Sequence, residues 1–72
     1  MRFPPGSVWV YEQNTGPGKR MPDDAEVFVV LDSTSEAAYI RVIDDPKYPH
    51  RDGHMQSFRK GGTYWHWSRR VA

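Results

Sequence analysis

Cations and rings interleave near the end of the chain: Arg59, Lys60, Tyr64, Trp65, His66, Trp67, Arg69 and Arg70 fall within twelve residues. This mixture suits single-stranded nucleic acid. Cations follow the phosphates, and rings stack on bases at about 1–3 kcal/mol per base. With two upstream cations added, the residues expected to contact nucleic acid are Lys47, Arg51, Arg59, Lys60, Tyr64, His66, Arg69 and Arg70. Trp, Tyr and Arg also anchor protein–protein interfaces, so a protein-interaction module is the alternative. Charge points to the same region. Residues 1–45 hold four basic and eight acidic residues (−4), whereas residues 46–72 hold six basic residues against Asp52 alone (+5).

Other groups with chemical potential have plainer readings. His50, Asp52, His54 and His66 are metal-donor types, but two histidines four apart converge only on a helix. Gly53, Pro46 and Pro49 disfavour a helix there, so a solvated loop without metal is expected. The tripeptide His50-Arg51-Asp52 matches a kinase catalytic loop, in a chain far too short to hold a kinase. General acid–base work needs two carboxyls across a cleft, one of them in an apolar setting. Asp23-Asp24 and Asp44-Asp45 are instead adjacent pairs beside prolines, where Asp serves turns. Gly16-Pro17-Gly18-Lys19-Arg20 lacks phosphate-loop spacing. The absence of cysteine excludes disulfides, thiolate zinc sites and cysteine nucleophiles. A non-enzymatic, cofactor-free and cytoplasmic protein is expected, as a monomer or homodimer with no membrane association. A third use of the rings is a cage for a cationic ligand, built from Trp9, Tyr11, Tyr39 or Tyr48.

These residues must be carried by a small domain. Seventy-two residues, 38% of them hydrophobic, make one domain (1–72) with a thin core, and an aromatic content of 14% is the compensation. Five segments read as strands. Val8–Tyr11 is wholly β-branched or aromatic. Residues 26–31 form a nearly continuous apolar run, which predicts a central strand buried on both faces. Residues 37–43 alternate, with Ala38, Ile40 and Val42 on one side and Tyr39, Arg41 and Ile43 on the other. The short polar turn 32–36 makes a hairpin of the second and third strands. Residues 54–59 predict a fourth strand, Lys60-Gly61-Gly62-Thr63 a tight hairpin turn, and residues 64–71 a fifth strand. In that strand Trp65 and Trp67 share a face; if they point inward, Tyr64, His66, Ser68 and Arg70 point out. The prolines and glycines of 14–24 predict a loop, and no segment reads as a helix. The expected fold is all-β, a small five-stranded SH3-like barrel whose closure removes exposed edges.

The opening Pro5-Gly6-Ser7-Val8-Trp9, the valine-rich second strand and the closing Trp67-Ser68-Arg69-Arg70-Val71 resemble small SH3-like β-barrel proteins of actinobacterial phages and their hosts. The resemblance covers most of the chain in outline and about ten residues in detail, while the loops at 14–24 and 44–53 depart in length. It implies the fold and a phage origin, hence the host cytoplasm. The protein-interaction alternative then becomes a small phage protein docking on a host or virion protein. It carries over no catalytic or binding residue.

Overall fold

The computed structural model describes residues 2–11, 25–46 and 48–72. The loop expected at 14–24 and the cation Lys47 lie outside them. Five strands, β1 (Val8–Tyr11), β2 (Glu26–Ser33), β3 (Ala37–Asp44), β4 (Met55–Arg59) and β5 (Ser68–Arg70), form one antiparallel sheet in the order β4-β3-β2-β1-β5. A 3-10 turn, Pro49–Arg51, precedes β4, and a one-turn helix, α1 (Thr63–Trp67), precedes β5. The all-β class and the β2–β3 hairpin stand as expected. Ala38, Ile40 and Val42 are buried and Tyr39, Arg41 and Ile43 exposed, as the alternation of β3 requires.

Three expectations are corrected. First, β2 is central but covered on one face only. Phe28 and Val30 are buried, whereas Val27 and Val29 are half-buried and Leu31 is 47% exposed.

Second, the segment expected as one strand over 64–71 is a helical turn followed by three strand residues. In a strand, adjacent side chains point to opposite faces. The helical turn lets Tyr64 and Trp65 both reach the core, the first against Phe58 (5.3 Å between ring centroids) and the second against Phe3 (5.0 Å). Ring burial overrides the β pattern of the letters. Residues 60–63 do turn. The Gly62 N–H donates to the Arg59 carbonyl (3.1 Å), and Gly61 takes the positive φ (88°) that a type II turn needs at its third position. The chain then enters α1 rather than a hairpin.

Third, the sheet is open. Among the described residues no ladder joins β4 to β5, and α1 bridges the two edge strands, contacting both.

The core lies on the face of the sheet that the N-terminal segment and α1 cover. Half of its buried hydrophobic residues are rings, namely Phe3, Trp9, Phe28 and Phe58, joined by Val30, Ala38, Ile40 and Val42. Phe3 contacts Trp9 (4.4 Å), Phe58 (5.0 Å) and Trp65, so the short segment before β1 plugs the sheet's open side. At about 25 cal/mol per Å² and roughly 200 Å² per ring, each buried ring contributes about 5 kcal/mol before conformational entropy opposes it. Two polar groups beside the core find partners: the Trp9 indole N–H donates to the Ser7 hydroxyl (2.8 Å), and the Ser33 hydroxyl donates to the Phe3 carbonyl.

Candidate functional site

Of the eight residues expected to contact nucleic acid, the seven that the structure describes divide into two environments. Arg51 and Tyr64 belong to a polar network at one end of the core. β2 begins with Glu26, which pairs with Tyr11 of β1 and is buried. Its two carboxylate oxygens accept from different elements: Oε1 from the Tyr64 hydroxyl of α1 (2.7 Å), Oε2 from Arg51 Nη1 (3.1 Å). Arg51 Nη1 also lies 3.7 Å from Asp45 Oδ2, and its Nη2 donates to Gln56 Oε1 of β4 (2.6 Å). Asp45 is buried at the end of β3, where its Oδ1 accepts the Tyr48 N–H (3.1 Å). The Tyr64 ring is sandwiched between Tyr11 (4.0 Å, stacked) and Phe58.

The electrostatics follow from this packing. Burial is the largest influence on Glu26 and raises its pKa above the ordinary carboxylate value. The Tyr64 hydrogen bond and the Arg51 charge oppose that, and the neighbouring Asp45 carboxyl adds to it. Tyr64 is pushed up to about 12, first by burial and then by its bond to Glu26. Burial works against the charge on Arg51, but Glu26, Tyr64 and Asp45 together more than offset it and move its pKa upward. The guanidinium is therefore held inward by two carboxylates, and its side chain is only 26% exposed. Arg51 and Tyr64 tie β2, β3, β4 and α1 together.

Arg59, Lys60, His66, Arg69 and Arg70 are all exposed. They are carried by the end of β4, the turn after it, α1 and β5, so one continuous stretch of chain presents them. Residues 53–72 contain no acidic residue. Among the described residues, Arg59, Lys60 and Arg70 enter no ion pair, and the Arg70 Nε donates instead to the Ala72 carbonyl (3.1 Å). The two tryptophans, expected to share a face, are separated by the helical turn. Trp65 is half-buried against Phe3, and Trp67, which lies between His66 and Arg69 in the sequence, is 57% exposed. Trp67 was absent from the expected contact residues because strand alternation grouped it with Trp65. Its place between His66 and Arg69 was the available signal.

The remaining candidates disperse. Among the described residues no group of three His, Cys, Asp or Glu could hold a metal ion. Trp9 and Tyr11 pack with the core, whereas Tyr39 points from the opposite face of the sheet, so these rings do not form a cage. No helix of the described residues is long and apolar enough to cross a membrane. Comparison with protein-family models, curated proteins and solved structures finds no match to this chain.

Proposed function

We propose that this chain is a non-enzymatic binding module whose partner is single-stranded nucleic acid, held by Arg59, Lys60, His66, Trp67, Arg69 and Arg70. The observation that supports this is the exposed Trp67 indole set in an acid-free stretch of exposed cations. An indole is a costly group to leave in water. Beside cations it offers a stacking plane for a base while the guanidinium and ammonium groups meet the phosphates on either side. Arg51 and Tyr64 support the site from inside the fold and touch no phosphate. Titration with oligothymidylate, followed by tryptophan fluorescence, tests the proposal. Emission quenches on binding, and log affinity falls with log salt at a slope of about −0.7 per phosphate contact, giving roughly −2 to −3.5 for three to five contacts. No quenching, or affinity indifferent to salt, overturns it.

The second reading, a protein-interaction module, draws on the other face of the sheet. Leu31, Tyr39, Ile43, Met55 and Val71 are all exposed there, where an antiparallel sheet with one solvated face ordinarily carries polar side chains. A protein partner anchored on these residues binds with little salt dependence, so the same titration separates the readings.

A further inference from the structure

The two edges of the sheet are guarded unequally. An edge strand offers unpaired N–H and C=O groups to any second strand, and proteins blunt it with shortness, charge, proline or bulges. β5 has only three residues, two of them Arg69 and Arg70. β4 has five, Met55-Gln56-Ser57-Phe58-Arg59, with no proline, no glycine and a single charge at its end.

The hydrogen bonds fix which backbone groups of β4 are unused. The Lys60 N–H donates to the Glu36 carbonyl and the Val42 N–H to the His54 carbonyl, both at 2.8 Å. In the antiparallel register that sets Arg59 opposite Ala37 and Met55 opposite Arg41, residues 54, 56, 58 and 60 turn their backbone groups toward β3. Met55, Ser57 and Arg59 therefore turn theirs outward, and all three residues are exposed. Among the described residues only the Arg59 carbonyl finds a partner, the Gly62 N–H.

We propose that β4 pairs antiparallel with β4 of a second copy, about a two-fold axis at Ser57. The strand is self-complementary in that register. Ser57 faces Ser57 of the other copy, each donating its N–H to the other's carbonyl, and Met55 faces Arg59 at both ends. Like charges never sit opposite one another, and the aliphatic stem of each Arg59 lies along Met55, which is 69% exposed in the single chain. A shallow groove of about 320 Å³, lined by Leu31, Tyr39, Met55 and Ser57, opens beside the same edge and receives side chains from the second copy. The product is a ten-stranded sheet, and the pairing removes the edge that an open sheet leaves exposed.

Sedimentation of the full chain over a range of concentrations reads the dimer, and two variants read its register. Proline at 57 costs no bond to β3, because that N–H points outward. Ser57→Pro therefore keeps the monomer fold and weakens the dimer at least tenfold. Met55→Lys, an edge charge that leaves the backbone untouched, weakens it in the same direction. The chain has no cysteine, so introduced thiols report cleanly. Facing Cα atoms in a hydrogen-bonded pair lie about 5.5 Å apart, within disulfide reach. With oxidised glutathione, Ser57→Cys cross-links to itself, whereas Met55→Cys and Arg59→Cys, each roughly 13 Å from its own copy, do not. The proposal is overturned by a monomer at every concentration, by equal cross-linking at 55, 57 and 59, or by a dimer that neither Ser57→Pro nor Met55→Lys weakens.

Discussion

Arg51 with Tyr64, and Arg59, Lys60, Arg69 and Arg70 with Trp67, start from the same chemistry and finish in different surroundings. Arg51 is held by Glu26, Asp45 and Gln56, with Tyr64 bonded to the same Glu26 carboxylate. The later cations are exposed and flank an exposed indole in the sequence, in a stretch without an acid. The difference lies in what the neighbouring strands deliver. β2 and β3 bring two buried carboxylates to the end of the core, and a cation placed there is consumed by the fold. β5 and the end of β4 lie in a stretch of chain without an acid, and their cations are exposed.

Breaking the inner group carries the largest expected effect. Arg51→Ala leaves Glu26 and Asp45 as neighbouring buried carboxyls without a counter-charge, and removing one partner of such a pair costs about 3 kcal/mol or more. For a domain of this size that is a fall in Tm of roughly 10–20 °C. The loss is greater at pH 7 than at pH 4, where the raised pKa of Glu26 lets its carboxyl take up a proton. Thermal melts at both pH values measure it. An equal loss at both, or no loss, removes Arg51 from the structural group. At a temperature where the variant remains folded, its oligothymidylate affinity matches that of the parent.

Tyr64 sharpens the same side of the comparison. Its pKa is about 12 in the fold against an ordinary 10.0, so between those values the folded chain keeps a proton that the unfolded chain has lost. The stability tied to that proton is fully present below pH 10 and disappears as pH rises toward 12, an effect of up to about 2 kcal/mol. The comparison is with Tyr64→Phe, whose melting temperature falls less between pH 9.5 and 11.5. Parallel falls in the two proteins contradict the buried Tyr64–Glu26 bond.

Trp67 tests the outer group. Trp67→Ala removes an exposed ring and changes stability by no more than about 0.5 kcal/mol. Losing one stacked base weakens oligothymidylate binding by about 1–3 kcal/mol, some 5- to 150-fold. Trp65→Ala does the reverse, because Trp65 rests on Phe3 and Phe58. If Trp67→Ala lowers Tm as much as Trp65→Ala does, the division between inner and outer rings fails.

How far this division was legible in the letters depends on the reach of each contact. The β2–β3 hairpin could be read because alternation in residues 37–43 is local and the turn between the strands is short. The apolar run at 26–31 correctly marked a central strand. It overstated burial because letters record what a strand tolerates, not how many layers the chain can supply, and this chain covers one face. The helical turn at 63–67 was hidden because Tyr64-Trp65-His66-Trp67 alternates like a strand. What decides it is Phe3, some sixty residues earlier, and nothing local signals that contact. Arg51 could not be told from Arg70 by type. Its separation depends on Glu26 arriving from β2 beside Asp45, and only the pairing of β2 with β3 brings that carboxylate there.

The smallest effect lies at the join between the two groups. Ser68 follows α1 and opens β5; it is buried, and its hydroxyl has no hydrogen-bond partner. Its backbone is well used, since its N–H caps α1 by donating to the Tyr64 carbonyl and its position pairs with Tyr11. An unpaired buried hydroxyl costs free energy that an alanine would not, so Ser68→Ala is neutral or stabilises by up to about 1 kcal/mol, read as an unchanged or higher Tm. Oligothymidylate affinity stays constant, because the position faces the core while Trp67 and Arg69 on either side face water. A drop in affinity without a drop in Tm would mean that the hydroxyl contacts the ligand, and the boundary between the inner and outer groups would then move one residue toward the core.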